Sequence, residues 1–195
     1  AKELETKEVK VKKKKLIEEY ESLIEPNVKF NKNLLFMIVI AAGVAVAGLF
    51  ANNASLVIGA MLISPLLGPI SAFSFNTAVG KTDKMLKALV SGSILLVSVI
   101  ATGAILTGIT VQFVDLPLTD EILSRTIVSP VFLAVAIALG LAGGIAMSTN
   151  IPGILVGVAI AAALVPPAGV AGIGIALWDF EIFSSALTLT AANII

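Results

Sequence analysis

The residues of this sequence that could bind a solute lie in two proline motifs, each inside a long apolar stretch. The first motif is Ser64-Pro65-Leu66-Leu67-Gly68-Pro69, and the second contains Pro166 and Pro167. Because proline has no N–H, each proline leaves the carbonyl four residues earlier without its helical partner. These freed carbonyls belong to Met61, Pro65, Ala162 and Ala163. Carbonyl oxygens coordinate cations, whereas the N-terminal ends of broken helices attract anions.

Both motifs lie near the middle of their apolar stretches, so the freed carbonyls are predicted close to the membrane midplane. An unsatisfied carbonyl is costly in hydrocarbon, and broken backbone must therefore face protein, water or a ligand. The alternative is ordinary packing, since proline is common in membrane helices and neighbouring helices satisfy the freed groups. The candidate substrate-binding residues are Met61, Ser64, Pro65, Gly68, Pro69, Ala162, Ala163, Pro166 and Pro167.

The side chains around these motifs limit the chemistry that the protein can perform. The sequence has no His and no Cys, which excludes imidazole bases, thiolate nucleophiles and the usual zinc ligands. An ionisable residue inside a span would suggest a proton relay or a buried ion pair, but the predicted spans have none apart from Lys87 near the start of the third. We therefore expect no enzyme activity, no metal and no cofactor. The polar candidates within the apolar stretches are Ser64, Ser71, Ser74, Asn76, Thr77, Ser91, Ser93, Ser98, Thr102 and Asn193.

The elements that position these residues are membrane helices. Apolar residues make up 57% of the chain and charged residues 13%, against about a quarter charged in soluble domains. Charged side chains are absent from residues 33–80, 88–114 and 126–178, and each gap exceeds the roughly 20 residues that cross a bilayer. The sequence predicts an all-α, polytopic membrane helix bundle at residues 33–195. The spans are expected at 34–51, 55–79, 85–113, 128–147, 152–177 and 182–195, the last of them incomplete.

A shift of 98 residues aligns the two halves of this membrane region. It places Asn52 on Asn150, Gly59 on Gly157, and Pro69 on Pro167. Each half has three predicted spans, so the second copy must enter the membrane in the opposite direction. The sequence therefore predicts two inverted three-helix repeats with Pro-broken second and fifth helices, an arrangement in which transporters bind solutes at the midplane.

Residues 1–32 are predicted to form a charged, helical, cytoplasmic segment. Most of the 13 basic residues lie there. By the positive-inside rule, this places the N-terminus on the cytoplasmic side of the cell membrane. The loop at 81–87 then lies inside, and the loop at 114–127 lies outside. The cluster of Lys10 and Lys12–Lys15 is either a solvated face or a docking site for anionic lipid. Interleaved glutamates and missing aromatic platforms argue against nucleic-acid binding.

The proline motifs also carry a family resemblance. The stretches SLVIGAMLISPLLGPI and AALVPPAGVAGIGIAL are similar to a hydrophobic membrane family of archaea and bacteria. That family is catalogued among domains of unknown function as family 389. The resemblance covers about residues 50–195 and implies the membrane fold, but no activity. Longer members carry a soluble cytoplasmic domain before the membrane part.

Two functions remain open from the sequence. The first is a small-solute or ion transporter or channel, organised around the paired proline motifs. The second is a structural or scaffolding subunit of a homo-oligomer or larger membrane complex. Small-residue motifs such as Gly140-x-x-x-Gly144 and Gly153-x-x-x-Gly157 let helices approach closely, and they fit either function.

Overall fold

A computed structural model describes residues 31–148 and 153–194 of the protein. Within these ranges the chain is all-α, as predicted. The charged segment predicted at residues 1–32 lies almost wholly outside the described residues. The helices are α1 (Lys32–Phe50), α2 (Ala54–Leu62), α3 (Leu67–Val79), α4 (Thr82–Thr110), α5 (Asp120–Leu123), α6 (Pro130–Ser148), α7 (Gly153–Ala176) and α8 (Phe180–Ala192).

The long helices are apolar on all sides, which is typical of helices in a membrane. Large apolar side chains such as Phe36, Val131 and Leu141 are two-thirds exposed, a surface that lipid rather than water would cover. Three helices in the described ranges are long and apolar enough to cross a membrane: α1, α4 and residues 157–176 of α7. A fourth span results if α2 and α3 count as one interrupted helix. The protein is therefore a helical membrane protein.

The helix bounds lie within a few residues of the predicted segments, and some of them recur after 98 residues. Adding 98 to α1 (32–50) gives 130–148, which are the bounds of α6, and adding 98 to Thr82 gives Phe180, where α8 begins. The crossing of all six segments and their inverted orientation stay predictions. The apolar parts of α6 and α8, at 134–146 and 180–192, are shorter than a full span.

The described chain divides into two compact units. The smaller contains residues 68–91, and the larger contains residues 31–67, 92–148 and 153–194. In the larger unit α7 is the most buried of the long helices. It packs against α1, α2, α6 and α8. The second proline motif therefore lies in the central helix of this unit.

The turn between α1 and α2 is formed by the two asparagines that the sequence suggests as turn formers and caps. Asn52 has a positive φ of 49°, a left-handed conformation that asparagine tolerates better than most residues. The side chain of Asn53 accepts a hydrogen bond from the amide of Leu56 and caps α2. The expected equivalent, Asn150, lies outside the described residues.

The loop before α6 is tied to this turn by two hydrogen bonds. The hydroxyl of Thr119 donates to the carbonyl of Leu49 at 2.6 Å, and the amide of Glu121 donates to the side-chain oxygen of Asn52 at 3.1 Å. Thr119 also caps α5 by accepting from the amide of Ile122. The loop and the turn therefore lie at the same end of the larger unit, as the predicted alternation of spans requires.

Candidate functional site

The first proline motif interrupts its span. Helix α2 ends at Leu62, where the amide of Ile63 donates to the carbonyl of Ala60 at 3.3 Å. The amide of Ser64 then donates to the carbonyl of Met61, also at 3.3 Å. The helical partner of that carbonyl would have been the missing N–H of Pro65. A tight three-residue turn thus gives the Met61 carbonyl one donor and ends the helix.

Ser64 lies at this interruption with a polar atom that has no partner. Its side chain is half-buried, and its hydroxyl oxygen is buried without a hydrogen bond to any described residue. Buried polar atoms are nearly always hydrogen-bonded. The Ser64 hydroxyl therefore has unused hydrogen-bonding capacity.

Helix α3 resumes the span at Leu67, so Gly68 and Pro69 are its second and third residues. The first-turn N–H groups of a helix have no partner within it, so proline at the third position costs no hydrogen bond. Pro65 lies between the two helices. The carbonyl of Pro65 is therefore not part of a helix, and Pro69 does not deprive it of a helical hydrogen bond. The sequence-based expectation was wrong on this point.

The second proline motif does not interrupt its helix. α7 runs without a break from Gly153 to Ala176, with Pro166 and Pro167 inside it, so the prediction of a broken fifth helix was wrong. One of the two freed carbonyls is satisfied by a hydrogen bond from outside the helix. The carbonyl of Ala163, freed by Pro167, accepts from the side-chain amide of Asn193 at 2.8 Å. Asn193 is the C-cap of α8, so the neighbouring helix supplies the missing donor.

The surroundings of the two motifs also differ. Pro166 and Pro167 are buried, while Ala162 and Ala163 are half-buried. The side chain of Leu67 lies against Gly157, where an added Cβ would be 3.2 Å from the Cβ of Leu67. Nine residues at 1.5 Å each, about 13 Å, separate Gly157 from Pro166 along α7. This contact places Leu67 of the first motif beside the beginning of α7 and away from the proline pair.

Comparison with known proteins assigns the family. The domain of unknown function DUF389 matches residues 61–195, which include both proline motifs. The chain belongs to the DUF389 family. It is also similar to an uncharacterised protein of Methanocaldococcus jannaschii, with 32% identity over 194 residues. That alignment covers 98% of this chain and 59% of the relative, so the chain spans about three-fifths of that relative's length. No solved structure matches the chain.

This DUF389 chain also has a close helix crossing that the sequence motifs did not predict. A Cβ added at Gly103 of α4 would lie 2.7 Å from the carbonyl oxygen of Gly169 in α7, and one added at Gly172 would overlap the carbonyl of Ile100. By contrast, Gly140 has open space around it. The available signals for this crossing were Gly103 in α4 and Gly169-x-x-Gly172 in α7, and none of these glycines belongs to a Gly-x-x-x-Gly motif.

Four of the ten polar candidates in the spans, Asn76, Thr77, Ser98 and Thr102, donate to a carbonyl of their own helix. The hydroxyl of Thr77 donates to the carbonyl of Phe73 at 2.7 Å, and that of Thr102 to the carbonyl of Ser98 at 2.7 Å. Ser71 is different, because its hydroxyl is buried without a partner among the described residues. The same holds for Thr107, which is fully buried and was not among the sequence candidates.

Proposed function

We propose that this DUF389 chain transports or conducts a small solute or ion across the membrane, at the interruption between α2 and α3. The observation that carries the proposal is the break at residues 63–66 within an otherwise apolar span. Irregular backbone at membrane depth is tolerated where it is buried in protein or lines a water-filled cavity. Transporters place such discontinuous helices at their binding sites.

The groups at the break suit a small polar solute. The Ser64 hydroxyl can both donate and accept, and it has no partner among the described residues. The Met61 carbonyl uses one lone pair for the Ser64 amide and keeps a second one for a ligand. Met61, Ser64 and the residues that follow are the part of the predicted substrate set that this geometry favours.

The second motif fits a supporting role better than a binding role. The Ala163 carbonyl is already engaged by Asn193, and the two prolines are packed inside the larger unit. We therefore propose that Pro166 and Pro167 shape α7, while solute contacts lie at the first motif. A ligand role for Ala162 and Ala163 stays a prediction.

The distribution of charges supports a location and an orientation for this function. We propose a multi-pass protein of the cell membrane with a cytoplasmic N-terminus, on the basis of the basic residues at 2–32 and 81–87. Anionic lipid beside the Lys10 and Lys12–Lys15 cluster is part of the same proposal.

A second candidate function is a structural subunit of a homo-oligomer or a membrane complex. The observation that favours it is the open space at Gly140 and Gly144 of α6, a spacing that helices use for close association. A subunit of this kind would bury that face against a partner and would carry no solute.

Flux through reconstituted protein tests the transport proposal. The full chain is placed in vesicles of phosphatidylethanolamine and phosphatidylglycerol that trap a sodium-sensitive or a chloride-sensitive dye. Pro65→Ala restores an N–H that can reach the Met61 carbonyl and continue α2, so we expect it to reduce flux strongly. Pro166→Ala is the matched control, because α7 is already continuous there, and its flux should stay near that of the unmodified chain.

Two results would contradict the transport proposal. The first is flux of both ions no faster than in empty vesicles. The second is equal flux in Pro65→Ala and the unmodified chain, with both proteins folded by circular dichroism. In either case the structural function becomes the better explanation, and cross-linking at Gly144→Cys in the same vesicles would test it.

A further inference from the structure

The turn between α3 and α4 is fixed by backbone hydrogen bonds on both of its sides. Gly80 follows α3 with a positive φ of 74°, a conformation that glycine adopts without strain. The amide of Lys81 donates to the carbonyl of Asn76 at 2.9 Å, and the amide of Gly80 to that of Thr77 at 3.2 Å, as in a Schellman motif. The carbonyl of Lys81 then accepts from the amide of Met85 at 2.9 Å. The turn is therefore a defined support for the side chains that it carries.

This turn carries a concentration of positive charge. Three lysines, which we call the lysine row, lie three residues apart at the start of α4 and follow one side of it over about 9 Å: Lys81, Lys84 and Lys87. The first two are half-buried and the third is exposed. Asp83, in the first turn of α4, is the only acidic residue between residues 33 and 114. An acidic partner would lower the repulsion within the lysine row.

The complementary charge occurs in the N-terminal segment, which lies outside the described residues and is predicted to be helical. Residues 16–25 contain four glutamates and no basic residue, whereas residues 1–15 contain seven lysines. Glu18, Glu21 and Glu25 have the spacing i, i+3 and i+7 of one helix face, which we call the acidic stripe. It extends over about 10 Å, close to the length of the lysine row. The apolar side chains lie on another face of the same predicted helix: Leu16, Ile17, Tyr20, Leu23 and Ile24.

Neither its own helix nor the bilayer balances the acidic stripe well. Like charges at helical spacing repel each other. Lys14 and Lys15 precede Glu18 by four and three residues, and a lysine placed before a glutamate is the weaker orientation of such a pair. Pro26 ends the predicted helix before Lys29. The anionic lipid proposed beside the upstream lysine cluster would repel the stripe.

We propose that the acidic stripe docks on the lysine row, so that the N-terminal segment binds the α3–α4 turn of its own chain. The predicted topology places both on the cytoplasmic side. Six residues connect Pro26 to Lys32, a tether of at most about 20 Å. A single surface ion pair contributes little, but three pairs joined by a short tether act at an effective concentration of about millimolar. This inference does not depend on the transport proposal.

A distance measurement between the two elements tests the inference. The chain has no cysteine, so Ser22→Cys and Thr82→Cys introduce two specific sites for nitroxide labels. Thr82 is exposed at the start of α4, and Ser22 lies beside the acidic stripe. Double electron–electron resonance on the full chain in phosphatidylethanolamine and phosphatidylglycerol vesicles should show a narrow distribution of label distances. The distribution should broaden in about 1 M salt, where the Debye length is about 3 Å.

Charge variants of the labelled chain identify the partners. Replacement of the three glutamates of the acidic stripe by glutamine should broaden the distribution. The matched control is Glu3→Gln, Glu5→Gln and Glu8→Gln together, which removes the same charge outside the stripe and should leave the distribution narrow. An exchange of charges, with lysines in the acidic stripe and glutamates in the lysine row, should restore the narrow distribution. This exchange keeps the number of basic residues on the cytoplasmic side, so the orientation set by the positive-inside rule is preserved.

Three results would overturn the inference. The first is a broad distribution in the unmodified sequence at low salt. The second is a narrow distribution that survives the glutamine variant of the acidic stripe but is lost when neutral phosphatidylcholine replaces phosphatidylglycerol, because the segment is then held by lipid. The third is a charge exchange that stays as broad as the glutamine variant.

Discussion

The hydrogen bond between Asn193 and Ala163 gives the most informative stability prediction. Asn193→Leu keeps the size of the side chain but removes the amide that donates to the Ala163 carbonyl at 2.8 Å. Side-chain hydrogen bonds between membrane helices contribute about 0.6 kcal/mol on average, and an unpaired buried acceptor costs up to about 3 kcal/mol. Because Ala163 is half-buried, we expect a loss near 1 kcal/mol, or about fivefold in the unfolding equilibrium.

The chain contains a reporter for this measurement. Its single tryptophan, Trp178, lies between α7 and α8 and has a positive φ of 57°. Equilibrium unfolding in mixed micelles, followed by the fluorescence of Trp178, should therefore report the separation of these two helices. Thr188→Val is a suitable control on α8, because the exposed Thr188 hydroxyl bonds only to the carbonyl of Ser184 in the same helix.

A double-mutant comparison tests whether the Asn193 side chain replaces the helical donor that Pro167 lacks. Pro167→Ala restores the N–H that can donate to the Ala163 carbonyl along the helix. In that background the carbonyl no longer depends on Asn193, so Asn193→Leu should cost almost nothing. An equal cost of Asn193→Leu with and without Pro167 would refute the claim that this side chain replaces the missing helical donor.

Two further predictions concern packing and the loop, and the same unfolding measurement checks both. Gly103→Ala should destabilise the protein by about 1–3 kcal/mol, since its Cβ would lie 2.7 Å from the carbonyl oxygen of Gly169. Gly140→Ala, with open space around it, should be neutral or stabilising by up to about 1 kcal/mol, and equal losses in the two variants would contradict the crossing. Thr119→Val should cost about 1–2 kcal/mol, because it loses both the α5 cap and the bond to Leu49. Thr119→Ser should retain most of that stability, and a Ser variant as unstable as the Val variant would contradict a role for the hydroxyl.

The sequence was sufficient for the helices and their approximate bounds. Charge-free apolar stretches, separated by turn residues such as Asn52 and Asn53, give a strong signal because the bilayer excludes charges and unpaired backbone. The same reasoning identified the first break, where Pro65 follows the natural end of α2.

The sequence was not sufficient for the second motif. Pro166 and Pro167 are residues that usually interrupt a helix. The carbonyl that Pro167 frees is nevertheless hydrogen-bonded, by a donor 30 residues away along the chain. No local pattern shows which carbonyl the Asn193 amide will reach. The free hydroxyl of Ser71 was equally hidden, since serine in a membrane helix usually bonds to its own backbone, and only the structure shows which one does not.

The bond between α7 and α8 also has a consequence for biosynthesis. The Ala163 carbonyl is made 30 residues before Asn193, so α7 leaves the ribosome with a freed acceptor and its donor still to be synthesised. Release of α7 alone into lipid would expose that carbonyl to hydrocarbon. Insertion of the two helices together, as a hairpin closed by the turn at Trp178 and Asp179, avoids this intermediate, so α8 adds about 1 kcal/mol to the stability of the inserted α7.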